Sequence, residues 1–280
     1  MSDKKQKQQF LILLVLILVS AGVYFSAKNS KDLPAFLKGF FKSPSPPVIL
    51  NLNTIEDGYP IALSDSEPLL KYKGFHLSYD EEYEQASWTA YILTRQKVEQ
   101  GKANRTNNFR SDTNIVSGSA SLSDYRNSGY DRGHLAPAGD MKWDRKAMSE
   151  SFLLSNMSPQ VPGFNRNIWK KLETKVRSWA VSNDSIYVVT GPVLSSVEKA
   201  IGPNHVGVPD YYFKVVLDIS SPTYKGIAFL LPNKASGDNI FKYASSIDSL
   251  EHFLHYDFFP NQDPYSIEEI ESTLDLSKWK

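Results

Sequence analysis

The sequence predicts an α+β fold, and three observations lead to it. Five runs rich in β-branched and aromatic residues read as strands: 75–79, 87–94, 186–190, 212–219 and 225–231. A helical repeat opens at Phe164 and continues to about Ser182, with Ile168, Leu172, Val176 and Trp179 on one stripe. A shorter amphipathic helix runs from Asp248 to His255, with Leu250, Phe253 and Leu254 apolar. Pro232, Asn233 and Gly237 end the last strand.

The chain of 280 residues is long enough to bury a sizeable core. Hydrophobic residues make up 41% and charged residues 22%, which excludes a disordered chain. There is no Cys, so disulfides, thiolate catalysis and a Cys-ligated zinc site are excluded. Residues 1–9 carry Lys4, Lys5 and Lys7, and are succeeded by an uncharged apolar run over 10–27. That run can just span a hydrocarbon core of about 30 Å. It reads as a transmembrane anchor; the alternative is a signal peptide cleaved after the small residues Val19-Ser20-Ala21. The lysines favour a cytoplasmic N-terminus and export of the rest of the chain, either membrane-anchored or, after cleavage, secreted or periplasmic. Residues 28–57 read as a Pro/Ser/Lys-rich tether, 58–260 as the folded domain and 261–280 as an acidic tail.

Within the domain, the strand 87–94 alternates Trp88, Ala90 and Ile92 with Thr89, Tyr91 and Leu93, so both of its faces should be buried. Residues 101–125 form a long polar loop bearing Arg105 and Arg110, and loops of that length are more often functional than not. Next comes the stretch that concentrates chemistry, Tyr130 to Asp140, reading YDRGHLAPAGD: a strand closed by a Pro/Gly turn. His134 is suited to accept a proton near neutral pH. Arg132 lies on the same side of an extended strand and can hold a phosphate with its planar fork. Gly133 lets another group approach closely. A short helix is expected at 143–149, with Asp140 as its N-cap.

The formal net charge of zero hides an asymmetry. From Arg95 to Arg177 there are fifteen Lys/Arg against eight Asp/Glu, whereas from Asp238 to Glu271 one Lys faces eight acids. A basic middle around His134 suits a polyanionic substrate. To cut a phosphodiester, such a site needs a base for water, cations for the phosphate and assistance to the departing oxygen. Mg²⁺ supplies the last with only one or two protein oxygens. Asn165, at the start of the long helix, is such an oxygen donor. Glu173 lies two turns further on, close to the same face, and could hold metal-bound water. Arg177 could pair with Glu173 or reach a phosphate. No GxGxxG or GK[ST] loop is present, and no small-molecule cofactor is expected.

With these residues in place, the chain resembles the DNA/RNA non-specific endonucleases of the ββα-metal (His-Me finger) superfamily, to which mitochondrial endonuclease G and secreted bacterial nucleases belong. The resemblance is ordered: DRGHLAPAGD at 131–140, SNMSPQ at 155–160, FNRNIWKKLE at 164–173, VTGPV at 189–193 and VPDYYFKVV at 208–216. It implies an antiparallel sheet core flanked by helices, a strand–turn–helix finger, DNA and RNA as substrates, and Mg²⁺ as the metal, with Mn²⁺ a possible substitute. Carried over by position, His134 is the general base and Asn165 the direct metal ligand. Arg132 contacts the phosphate or leaving group, and Asn156 orients the histidine or the substrate. Glu173 holds water on the metal and Arg177 supports the site. The family's further loop arginine falls to Arg105, with Arg110 the alternative, and Asp131 is structural. His76, His205, His252 and His255 read as structural or surface residues, and Trp169 and Trp179 as core. A homodimer is left open. The competing reading is a catalytically inactive nucleic-acid-binding envelope protein of the same fold.

Overall fold

A computed structural model of the chain describes residues 61–62, 69–195, 197–220 and 224–280, all within one compact unit. The expected anchor at 10–27 and tether at 28–57 lie outside the described residues. Among the described residues no helix is long and apolar enough to cross a membrane.

The strands are β1 (Ile61–Ala62), β2 (Leu69–Lys71), β3 (His76–Asp80), β4 (Gln85–Thr94), β5 (Asp131–His134), β6 (Met157–Gln160), β7 (Ser185–Pro192), β8 (Lys199–Ile201), β9 (Val206–Val208), β10 (Tyr211–Asp218), β11 (Lys225–Pro232), β12 (Ala244–Ser245) and β13 (Tyr256–Asp257). The helices are α1 (Arg95–Glu99), α2 (Leu122–Tyr125), α3 (Arg145–Glu150), α4 (Lys170–Ser182), α5 (Ile247–Leu254) and α6 (Pro264–Ser272). One seven-stranded sheet, ordered β12-β11-β10-β7-β4-β3-β2 and antiparallel throughout, forms the centre. β7 is the middle strand, and β4 beside it is buried on both faces, as its apolar alternation requires.

Strand alternation assigns the two faces. On β10, Tyr212 and Lys214 meet Trp169, while Phe213 between them meets Tyr256 and Phe258. The first face carries α4, whose Leu172, Val176 and Trp179 join Tyr91, Ile186, Val188 and Phe229 in the main core. The second carries α5 and α6 against β11, where a Cβ on Gly226 would meet Ile247 and Ile270. The result is a sheet between two helical layers.

The residues after β4 build the finger on the α4 side. β5 and β6 pair antiparallel, Asp131 opposite Gln160 and His134 opposite Met157. Pro159 gives no N–H to the ribbon, but its carbonyl accepts from the Tyr212 hydroxyl and from Asn233 Nδ2, both at 3.0 Å. Gly133 has no room for a side chain, because a Cβ there would fall 2.2 Å from the Gln160 amide. The close approach expected at this glycine is therefore made by Gln160.

Three expectations are corrected. The helix after the finger turn is Arg145–Glu150, and its N-cap is Asp144, whose Oδ1 accepts from the N–H groups of Lys146 and Ala147 at 2.7 and 2.9 Å. Asp140 is spent instead on Arg177 and Tyr91. The long helix opens with a π-helical turn, Phe164–Trp169, before α4. The acidic tail is part of the folded unit: α6 packs on β11, and Trp279 is 1% exposed beneath Trp179. Its ring lies 4.8 Å from that of Trp179, and its carbonyl accepts from Trp179 Nε1 at 2.9 Å. An acidic composition concealed this docking, because one buried tryptophan outweighs several solvated carboxylates.

Trp279→Ala should therefore lower stability by about 3–5 kcal/mol. A urea unfolding midpoint equal to that of the parent, at equal slope, would show that the C-terminal segment does not belong to the core.

Candidate active site

His134 ends β5 and is 9% exposed. Phe152 meets its ring edge-on at 5.0 Å and Phe109 at 5.8 Å. Two arginines close this aromatic box: the Arg105 guanidinium lies 4.9 Å from the Phe152 centroid and that of Arg132 4.1 Å from Phe109. The imidazole Nε2 makes no hydrogen bond among the described residues. Burial, then the charges of Arg105 and Arg132, push its pKa down to about 3. The ring is thus neutral across the physiological range, and in this resting arrangement it is a weak base.

The long loop reaches this place because it is pinned at three points. The N–H groups of Lys102 and Ala103 donate to the Lys142 carbonyl at 2.9 Å, and Arg110 and Leu154 bond through their backbones. Asp112 accepts from the hydroxyls of Tyr72 and Ser155. Between these points Arg105, Asn107 and Phe109 line the groove beside β5. Arg110 turns away, its Nη1 donating to the carbonyls of Asn108 and Ser149 at 3.2 and 2.9 Å. Of the two loop arginines, Arg105 is the one beside His134.

Asn165 is brought to the same place by Asp131. Its Nδ2 donates to Asp131 Oδ2 at 2.9 Å, and Arg166 grips both oxygens of that carboxylate at 2.8 and 2.6 Å. Burial raises the Asp131 pKa, but the hydrogen bonds from Arg166 and Asn165 outweigh it and hold the carboxyl below its usual range. With Nδ2 committed, Asn165 Oδ1 accepts no hydrogen bond from any of the described residues. Asn165, Arg105, Arg132, Asp131, Tyr130, Arg126 and Asn107 line a groove of about 530 Å³. An oriented amide oxygen lining a groove with three arginines suits a hard cation that retains most of its waters.

Glu173 stands eight residues further along. In a regular α-helix that spacing leaves a mismatch of roughly 80° between the two side chains. The π turn takes up an extra residue and turns Glu173 back toward the face of Asn165. Burial raises the Glu173 carboxyl, and the Lys214 ammonium opposes the rise. Lys214 is 1% exposed, donates to the Thr190 hydroxyl and lies 4.9 Å from the Trp169 centroid. Burial lowers its pKa, and the Glu173 and Asp140 carboxylates draw it back. Lys214 was not expected here, although a lysine inside the apolar strand YYFKVVLD is a visible signal in the sequence.

One expected partnership comes out differently. Arg177 pairs with Asp140 and not with Glu173, Nη1 to Oδ1 at 2.8 Å, and Asp140 Oδ2 also accepts from Tyr91 at 2.7 Å. Arg177 thereby holds the end of YDRGHLAPAGD against the sheet. Asn156 is fully buried, with its Oδ1 accepting from Ala136 N–H and its Nδ2 donating to the Ala136 and Ser151 carbonyls, each at 2.9 Å. It fixes the chain just after His134 and has no donor left for substrate. Gln160 was likewise not expected: its amide is buried without a hydrogen bond against Gly133. His205, His252 and His255 are exposed, and Trp169 and Trp179 are core.

The profile of the DNA/RNA non-specific endonuclease family matches residues 53–264. The chain is 34% identical over 203 residues to mitochondrial endonuclease G of Homo sapiens, covering 68% of each protein. It is 34% identical over 245 residues to a nuclease of Nostoc sp., covering 83% of this chain and 88% of the other. The structure of an EndoG/EndoGI complex superposes with a TM-score of 0.68 at 31% identity, over 74% of this chain and 90% of that one.

Asp131→Asn, which removes the charge that orients Asn165, should reduce kcat/KM by ~10²-fold; unchanged kinetics would mean the clamp does not set the amide. The burial of His134 has a consequence for stability. The unfolded chain protonates this residue near pH 6.5, whereas the fold keeps it neutral to about pH 3. Stability from this residue is full above pH ~6.5 and declines as pH falls toward 3. His134→Leu should flatten that part of the stability–pH curve, and an unaltered slope would contradict the burial assigned to the imidazole.

Proposed function

The chain belongs to the DNA/RNA non-specific endonuclease family, and from that premise we propose how its own residues carry out the hydrolysis and which metal they use. The observation that carries the reading is a convergence. The two guanidiniums that depress His134, Arg105 and Arg132, line the same groove as the oriented amide of Asn165.

In this reading a phosphodiester of either DNA or RNA enters the groove, and its oxygens draw Arg105 and Arg132 off the ring faces of Phe152 and Phe109. The guanidinium charge is then shared with a phosphate and bears less on the imidazole, so His134 becomes more basic as substrate binds. His134 takes a proton from water as the water oxygen attacks phosphorus. The bond to the 3′ oxygen breaks, and that oxygen leaves with a proton from solvent. Asn165 Oδ1 would hold Mg²⁺, or Mn²⁺ in its place, and Glu173 would support it through water. The cation supplies charge stabilisation to the phosphate and the departing oxygen. Asn156 and Arg177 act on the chain around His134, the first through Ala136 and the second through Asp140. The nuclease domain then stands outside the cytoplasm, anchored through the apolar run 10–27 and joined to it by the tether 28–57, a reading that the lysines before an uncharged run support.

His134→Ala should reduce nicking of circular DNA and cleavage of folded RNA by ~10²–10⁴-fold while circular dichroism stays native. Asn165→Ala should raise the Mg²⁺ concentration needed for half-maximal rate, and EDTA should stop the parent enzyme. Full cutting by His134→Ala protein, or a parent indifferent to EDTA, would sink the mechanism. Gel-shift binding without cleavage in Mg²⁺ and Mn²⁺ would return the inactive binding protein as the better reading.

A further inference from the structure

We propose that Asp248, Glu251 and Glu271 form a second divalent-cation site, of the Ca²⁺ type, on the face of the sheet opposite the catalytic groove. Asp248 and Glu251 lie one turn apart on α5, and Glu271 comes from α6, which packs against both α5 and β11. One carboxylate oxygen from each lies within 4.8 Å of the others. At about 2.4 Å per bond, the full width of a Ca²⁺ coordination sphere is also about 4.8 Å. The three oxygens therefore fit around one ion.

A separate observation points to a ligand. Glu271 is 7% exposed, yet its carboxylate accepts no hydrogen bond and has no ion-pair partner among the described residues. A buried carboxylate without a donor is costly unless something neutralises it. Nor does any Lys, Arg or His among the described residues pair with Asp248 or Glu251. Glu251 Oε1 accepts from Phe258 N–H at 2.7 Å, which leaves its second oxygen available. Asp257 and Glu268 add further negative charge. Burial and then this crowding push Glu271 up to about 9 and Glu251 up to about 7, so the cluster keeps its full negative charge at neutral pH only where a cation offsets it.

The donor set selects the ion. With oxygens only, and neither His nor Cys, it does not favour zinc or copper. Mg²⁺ gives up its waters reluctantly and takes one or two carboxylates, whereas Ca²⁺ accepts a denser set of oxygens in flexible geometry.

The test uses the full chain carrying Asn165→Ala, so that the catalytic carboxamide does not contribute. CaCl₂ titrated into this protein should bind at one ion per chain and raise Tm by roughly 5 °C at a hundredfold excess over the dissociation constant. Adding Glu271→Gln should abolish both the binding and the rise. Glu271→Gln alone should nick plasmid at the parent rate, which separates this site from the catalytic one. Three results would overturn the proposal: no heat and no Tm rise in millimolar Ca²⁺; an equal rise with and without Glu271; or a higher Tm for Glu271→Gln in EDTA while Ca²⁺ leaves its parent unchanged. The last would mean that the carboxylates share a proton and not a cation.

Discussion

Asp131 is the constraint on which the site depends. The imidazole stands at the end of a strand and the amide at the start of a helix, and the elements bearing them are separate in the chain. A carboxylate at the head of β5, accepting from Asn165 and gripped at both oxygens by Arg166, ties the two together. It also decides which end of the Asn165 side chain points outward, because the nitrogen is spent on Asp131. The hydrogen bonds more than offset the burial of the carboxylate, so the tie is charged at neutral pH. Gly133 completes the arrangement by letting Gln160 pack flat against the strand.

A second balance governs His134. Aromatic walls keep it dry and two cations stand over those walls, so every neighbouring influence opposes a positive imidazole. Alone, that would make a weak base. The two cations rest on ring faces, an attraction of only about 0.5–2 kcal/mol each. A phosphate offers charge-assisted hydrogen bonds that compete with that resting place. In the proposed reaction, basicity at His134 is thereby coupled to occupancy of the groove, because the arginines that would hold the phosphate are the ones that oppose a positive imidazole.

Most of the sheet was legible in the sequence because its strands are apolar on both faces and bounded by clear breakers. β4, β7, β10 and β11 fall within two residues of the runs that announce them. The features that were not legible depend on partners far away in sequence. Asp140 looked like a helix cap because it is an acid before a short helix. Only the fold shows that Tyr91 and Arg177 occupy both of its oxygens. Asn156 was visible as part of the site, but the choice between orienting the histidine and orienting the substrate was not, since the carbonyls of Ala136 and Ser151 carry no sequence signature. The π turn is equally silent in the sequence, although it corrects the eight-residue spacing between Asn165 and Glu173.

The charge asymmetry along the chain becomes, after folding, an asymmetry across the sheet. The basic segment supplies the finger, the long loop and α4 on one face, while the acidic segment supplies α5 and α6 on the other. The sheet lies between the two helical layers, so the two charged regions face solvent on opposite sides of the molecule. A polyanion approaching the groove therefore meets the arginines with little opposition from the carboxylates behind the sheet. The acids are free to be concentrated at α5 and α6, where repulsion among them weakens the fold locally without weakening substrate binding. Net charge near zero and an electropositive groove are compatible here because the sheet keeps the two signs apart.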